Sequence, residues 1–150
     1  MNNDAITIDE QIRADFFQIA REVGCEGTIG DFVSAINNGG NNYPLFLLTP
    51  LVSSYQKDQG HEQDFNITMY FFDLYQTETG ETPNEEELWQ IWGRVAELAN
   101  KFRLKLYEPN WIVKYVLNSS YKVERNAFAL GTDETVFVKV NCSIRVYSNC

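Results

Sequence analysis

The chain has 150 residues, 44% of them hydrophobic and 14% aromatic, and carries a formal charge of -9. That length suffices for one domain with a substantial core, and the composition excludes a disordered chain. The acidity excludes a protein that grips nucleic acid through its backbone, which needs an excess of Lys and Arg; an acidic wall repels a duplex and suits the lining of a channel.

The opening segment MNNDAITIDE has no basic region followed by an apolar run, so no signal peptide is expected. Thr7-Ile8-Asp9-Glu10 has the pattern of a capping box. Ile12, Phe16, Ile19 and Val23 follow at helical spacing, with Phe17 widening the stripe, so residues 8–23 are expected to form an amphipathic helix stopped by Gly24. Residues 24–42 are rich in Gly and Asn and read as a connector, with a helical turn or two around residues 30–36.

Tyr43 to Pro50 is apolar at almost every position, like a strand covered on both faces, and residues 51–55 extend it. Its two prolines belong near strand ends or on an edge, because proline cannot donate a ladder hydrogen bond. Residues 56–63 are polar and contain Gly60, as a hairpin tip would, and residues 64–76 form the returning strand. This strand begins with ordinary alternation: Phe65, Ile67, Met69 and Phe71 on one face, Asn66 and Thr68 on the other. Then Tyr70, Phe72 and Leu74 place apolar groups on the second face as well.

Thr82-Pro83-Asn84-Glu85 predicts a helix with Thr82 as cap and Pro83 in the first helical position, and Glu85, Glu86 and Glu87 favour the positive end of its dipole. Leu88, Ile91, Trp92, Val95, Leu98, Ala99 and Phe102 draw its apolar stripe, Trp89 lies beside that stripe, and Gly93 is expected to mark a close approach to the sheet. The helix should end near residues 104–106, before Glu108-Pro109. Trp111 to Lys122 reads as a strand and residues 123–134 as a loop. The final strand alternates most cleanly, with Val136, Val138, Val140, Cys142, Ile144 and Val146 on one face.

The expected fold is therefore α+β: one domain over residues 1–150, with a single, mainly antiparallel sheet of about four strands. Two helices pack on one face, in the order α-β-β-α-β-β.

Little in the sequence suggests chemistry. Cys25, Cys142 and Cys150 are an odd number without close spacing and are expected to be free thiols. The three glycosylation triplets, at Asn66, Asn118 and Asn141, are chance matches without a secretory signal. His61 is the one histidine, no pair has zinc spacing, and consecutive helical glutamates make a poor metal cage. No catalytic, cofactor-binding or metal-binding residues are expected, and no cofactor. No apolar run approaches the length of a membrane span, so no membrane association is expected either. Two helices can cover one sheet face, which leaves Tyr70, Phe72 and Leu74 to be covered by loops or by a protein partner.

Several short motifs carry a resemblance: Gly30-Asp31, Tyr43-Pro44-Leu45 with Pro50, Phe71-Phe72-Asp73-Leu74, and an acidic helix start followed by Trp89 or Trp92. In their order over residues 8–147 they resemble head–tail connector proteins of tailed bacteriophages infecting Bacteroidetes, including the crAss-like group, of tail-terminator or tail-completion type. The segment Arg103 to Tyr107 is more basic than that pattern, and the Gly/Asn connector is longer. The resemblance implies a non-enzymatic virion protein, made in the host cytoplasm. Six or twelve copies would form a ring in the neck between portal and tail, beside other neck proteins. DNA would pass nearby without being read. Tyr70, Phe72, Leu74 and Trp89 are then the expected subunit contacts, with His61 at the hairpin tip and Asn41 in the connector reaching neighbours. Two other readings fit the same residues: a small module holding an apolar ligand against Tyr70, Phe72 and Leu74, and an acidic inhibitor of a basic partner.

Overall fold

A computed structural model describes residues 7–29, 44–55, 62–74, 84–126 and 135–147. The fold is α+β. Its described elements run α1 (Ile8–Glu22), β1 (Glu26–Ile29), β2 (Leu45–Leu48), β3 (Val52–Tyr55), β4 (Glu62–Leu74), α2 (Glu85–Leu106), α3 (Pro109–Ile112), β5 (Tyr115–Leu117), β6 (Lys122–Asn126) and β7 (Thr135–Tyr147).

Both ends of α1 are built as its sequence dictates. Thr7 Oγ1 accepts from the Glu10 backbone N–H at 3.2 Å. At the other end Gly24 has φ of +96°, the left-handed conformation that glycine adopts without strain. Its N–H reaches the Arg21 carbonyl at 3.0 Å while that of Cys25 reaches Ala20 at 2.8 Å, the paired bonds of a Schellman stop. The chain leaves this stop directly into β1, an edge strand parallel to β2 in register Glu26↔Leu45 to Ile29↔Leu48. A Cβ on Gly27 would sit 3.3 Å from the Phe17 ring, so glycine there lets α1 lie close on the strand.

The sheet is seven-stranded and mixed, in the order β1-β2-β4-β7-β5 with β3 also on β4 and β6 also on β7, not a four-stranded antiparallel sheet. Two causes account for the difference. The first is the unexpected β1, whose residues EGTI show no apolar alternation. The second is that the strand expected over 43–55 is divided, and that residues 123–126, expected in a loop, form most of a further strand, β6. β2 and β3 lie end to end along β4, pairing with residues 69–72 and 63–66. They part at Pro50, which has no N–H to donate, while Thr49 is tied to the Thr68 carbonyl through both its N–H (3.2 Å) and its hydroxyl (2.8 Å). β5 and β6 likewise lie end to end along β7. β4 and β7 are the spine, paired from Glu62↔Tyr147 to Leu74↔Thr135.

The second helix begins later than the Thr82 cap implies. Asn84 is the cap, with a reciprocal box: the Glu87 N–H donates to Asn84 Oδ1 at 2.8 Å and the Asn84 N–H to Glu87 Oε1 at 3.3 Å. Asn caps as well as Thr, and Asn84-x-x-Glu87 satisfies the same pattern two residues on. Thr82 and Pro83 lie outside the described residues. Gly93 marks no close approach to the sheet: a Cβ there meets nothing within 4 Å among the described residues. The expected strand from Trp111 opens instead with α3, because Pro109 suits the first helical position. The Trp111 and Ile112 N–H groups both reach the Glu108 carbonyl at 2.9 Å. Lys122–Asn126, expected partly in a loop, is strand β6.

α1 and α2 pack on one sheet face. Ile12, Phe16 and Ile19 of α1 and Ile91, Val95 and Phe102 of α2 join the inward residues of β2, β4 and β7 in one cluster. Phe102 is central, its ring within 5.3–5.8 Å of those of Phe16, Phe46 and Phe71.

Candidate assembly surface

The opposite face of the sheet changes character along its length, and β4 and β7 change together. At one end the cross-strand pairs are polar: Asp64↔Arg145, Asn66↔Ser143 and Thr68↔Asn141. Arg145 Nε meets Asp64 Oδ1 at 2.9 Å, and Asn118 donates to the same oxygen at 3.0 Å. Thr68 donates to Asn141 at 3.1 Å, and Ser119 Oγ accepts the Ser143 N–H at 2.8 Å. Asn66, Thr68, Ser119, Asn141 and Ser143 line an open groove of about 350 Å³. Satisfied pairs of this kind make a solvated sheet face.

From Tyr70 onward the β4 side chains on this face are apolar, although Tyr70 itself stands opposite Lys139. Phe72 lies between Leu45 on β2 and Phe137 on β7. Tyr70, Phe72 and Phe137 place their ring centroids 5.7–6.0 Å from one another. With Leu45 and Leu47 they form a second, smaller core. Phe72 is 0% exposed, whereas Tyr70 and Leu74 are half-buried. Thr135, opposite Leu74, is also fully buried, and its hydroxyl finds no hydrogen-bond partner among the described residues.

Of the expected contact residues, the structure thus gathers Tyr70 and Phe72 into a closed cluster, with Leu74 at its end. Trp89 stands apart on α2. It is 58% exposed, edge-on to Trp92 at 5.0 Å, beside a shallow depression shared with Asn84, Glu85 and Glu86. Trp92 is anchored instead, its indole N–H donating to the Asn126 carbonyl at 2.7 Å. His61 and Asn41 lie outside the described residues, as do the expected helical turn at 30–36 and residues 56–61 of the hairpin tip expected over 56–63, whose last two residues already belong to β4.

A further exposed surface was not expected. Leu104, Tyr107, Ile112 and Val113, at the end of α2 and along α3, are four of the six large exposed apolar side chains among the described residues. Leu104 falls off the stripe that ends at Phe102 and Leu106, and that phase is the signal in the sequence. The other three look like strand or turn residues until α3 is known.

The described ionisable groups with displaced pKa values serve packing. Burial pushes the Cys25 thiol up to about 12, helped by the Asp73 charge, and burial alone pushes Cys142 up to about 12. Both are free thiols, and at neutral pH neither is a nucleophile. Tyr115 is raised by burial and by donating to Asp15, which also meets Lys114 at 3.7 Å. Tyr121 is raised by burial and donates to the Ala99 carbonyl at 2.8 Å. Among the described residues no three His, Cys, Asp or Glu side chains are grouped to hold a metal, and no helix is long and apolar enough to cross a membrane. Comparison with protein-family models finds no match, and comparison with curated proteins finds no relative.

Proposed function

We propose that this chain is a structural protein of a tailed-phage virion, forming a ring in the head–tail connector between portal and tail. Support comes first from the ordered motifs over residues 8–147 that resemble tail-terminator and tail-completion proteins. The fold is compatible in outline. With β2–β3 and β5–β6 each counted as one interrupted strand, the order becomes helix, two strands, helix, two strands, with β1 added at the edge.

The observation that carries the reading is the placement of exposed apolar surface. Trp89 stands near the start of α2, while Leu104, Tyr107, Ile112 and Val113 stand at and beyond its end. A ring subunit needs two different surfaces, one for each neighbour. A ligand module instead concentrates its apolar surface in one enclosed pocket, and a one-to-one inhibitor needs one face. The charge of -9 suits a wall past which DNA slides without being held.

The test is proteomic and structural: mass spectrometry of purified virions from a phage encoding this chain, then electron microscopy of the neck. A ring of this chain between portal and tail is the expected result. Its absence from the virion overturns the reading.

A further inference from the structure

We infer that copies of this chain associate head to tail: the exposed apolar end of α2 and α3 in one copy docks on the Trp89 surface near the start of α2 in the next. This rests on the ring reading and names the surfaces that meet.

The two surfaces lie toward opposite ends of α2, the second continuing past it into α3. α2 has 22 residues, and a helix of that length spans about 33 Å, so the surfaces are separate and can be occupied together. Val113 is 70% exposed and Tyr107 51%. Solvent-facing groups of this size, gathered in ten consecutive positions, are commoner at contacts than on free surfaces.

Charge selects the occupant. Four of the twelve Lys and Arg residues fall within positions 101–114, namely Lys101, Arg103, Lys105 and Lys114. Two of these are partly neutralised, Lys105 by Glu22 (3.5 Å) and Glu108 (3.4 Å), and Lys114 by Asp15 (3.7 Å). Lys101 is exposed, and Arg103 is held by the neutral Asn100 side chain. Neither meets a carboxylate among the described residues. The start of α2 has the opposite character: Glu85 and Glu86 share a depression with Trp89. A chain of charge -9 repels its own copies. It can associate where a local basic excess meets an acidic patch. Trp89 also offers an aromatic face to an incoming Lys or Arg. The two surfaces are thus complementary in charge and both apolar, and every copy carries one of each. Such a contact is heterologous. It propagates from copy to copy and closes into a ring when the rotation per step allows.

The experiment uses the full chain and two variants at exposed positions, Trp89→Ala and Val113→Asp, with folding checked by circular dichroism. Sedimentation is followed over a concentration series reaching millimolar. The wild type is expected to grow past the dimer, and each variant alone to associate at least about tenfold more weakly. An equimolar mixture of the two variants is expected to form one-to-one dimers and nothing larger, because one good surface of each remains. A wild type that stays monomeric or stops at a dimer overturns the inference, as do variants that assemble like the wild type or fail to pair when mixed. Finding the ring in virions after such a failure leaves the connector reading standing and moves the subunit contact elsewhere. A chain absent from virions that still passes the mixing test leaves this contact standing without the connector.

Discussion

Phe72 on β4 and Phe137 on β7 are cross-strand partners whose ring centroids lie 5.7 Å apart, on the sheet face turned away from both long helices. Both belong to the apolar cluster that β4 meets on its second side from Tyr70 onward. One side belongs to the helix-covered core, and the other to a second core of Leu45, Leu47, Phe72 and Phe137 with Tyr70 packed against it. The polar half of the same face, where Asp64, Asn66 and Thr68 oppose Arg145, Ser143 and Asn141, needs no such cover.

Phe72→Ala is therefore expected to behave as a core truncation and to cost about 3–5 kcal/mol of stability, although the residue lies opposite the helices. Trp89→Ala, at an exposed site, should cost less than about 1 kcal/mol. Urea denaturation of the two variants beside the wild type checks this. Equal costs would show that the second core is not closed in solution.

The start of α2 gives a sharper local test. Asn84→Ala removes the acceptor of the Glu87 N–H and should destabilise by about 0.5–2 kcal/mol. Thr82→Ala should leave stability nearly unchanged, because the cap is at Asn84. The reverse ranking in thermal or urea melts would restore Thr82 as the cap.

Gly93→Ala should stabilise the protein by about 1 kcal/mol, the helix-propensity difference between the two residues. A Cβ at this position meets nothing within 4 Å among the described residues, so no clash with them offsets the gain. A lowered melting temperature would mean that something packs there after all.

These positions also show how far the sequence is legible. Wherever one physical signal dominates, it reads through: the Thr7 cap and Gly24 stop of α1, the stripe of α2, and the alternation of β7 from Val136 to Val146 all take their expected places. It fails where local signals compete. Thr82 and Asn84 both satisfy a capping pattern, and spacing alone does not select between them. Val113, Tyr115 and Leu117 alternate like a strand, but Pro109 starts a helical turn that consumes Trp111 first. β1 carries no pattern because its partner β2 and the ring of Phe17 define it, and both are distant in sequence. Leu104 betrays its exposure by its helical phase, but Tyr107, Ile112 and Val113 carry no such signal, since a residue's exposure depends on which element holds it. Trp89, set beside its helix stripe, was legible from spacing alone.

The two buried thiols set an alkaline limit. Cys25 and Cys142 have an ordinary value of 9.0 when unfolded and are pushed up to about 12 in the fold, each chiefly by burial. Folding therefore favours the protonated thiol. The stability linked to each is fully present below pH 9 and is lost as the pH rises toward 12. Tyr115 and Tyr121, also raised, act in the same direction at alkaline pH. Unfolding free energy followed by tryptophan fluorescence should fall across this window. Cys142→Ala should make the fall shallower than in the wild type, whatever its effect at neutral pH. At pH 7 a thiol reagent should label Cys25 and Cys142 only as fast as the protein opens. Rapid labelling of either by native protein, or a pH slope unchanged by Cys142→Ala, would place that thiol in contact with solvent and remove it from the core.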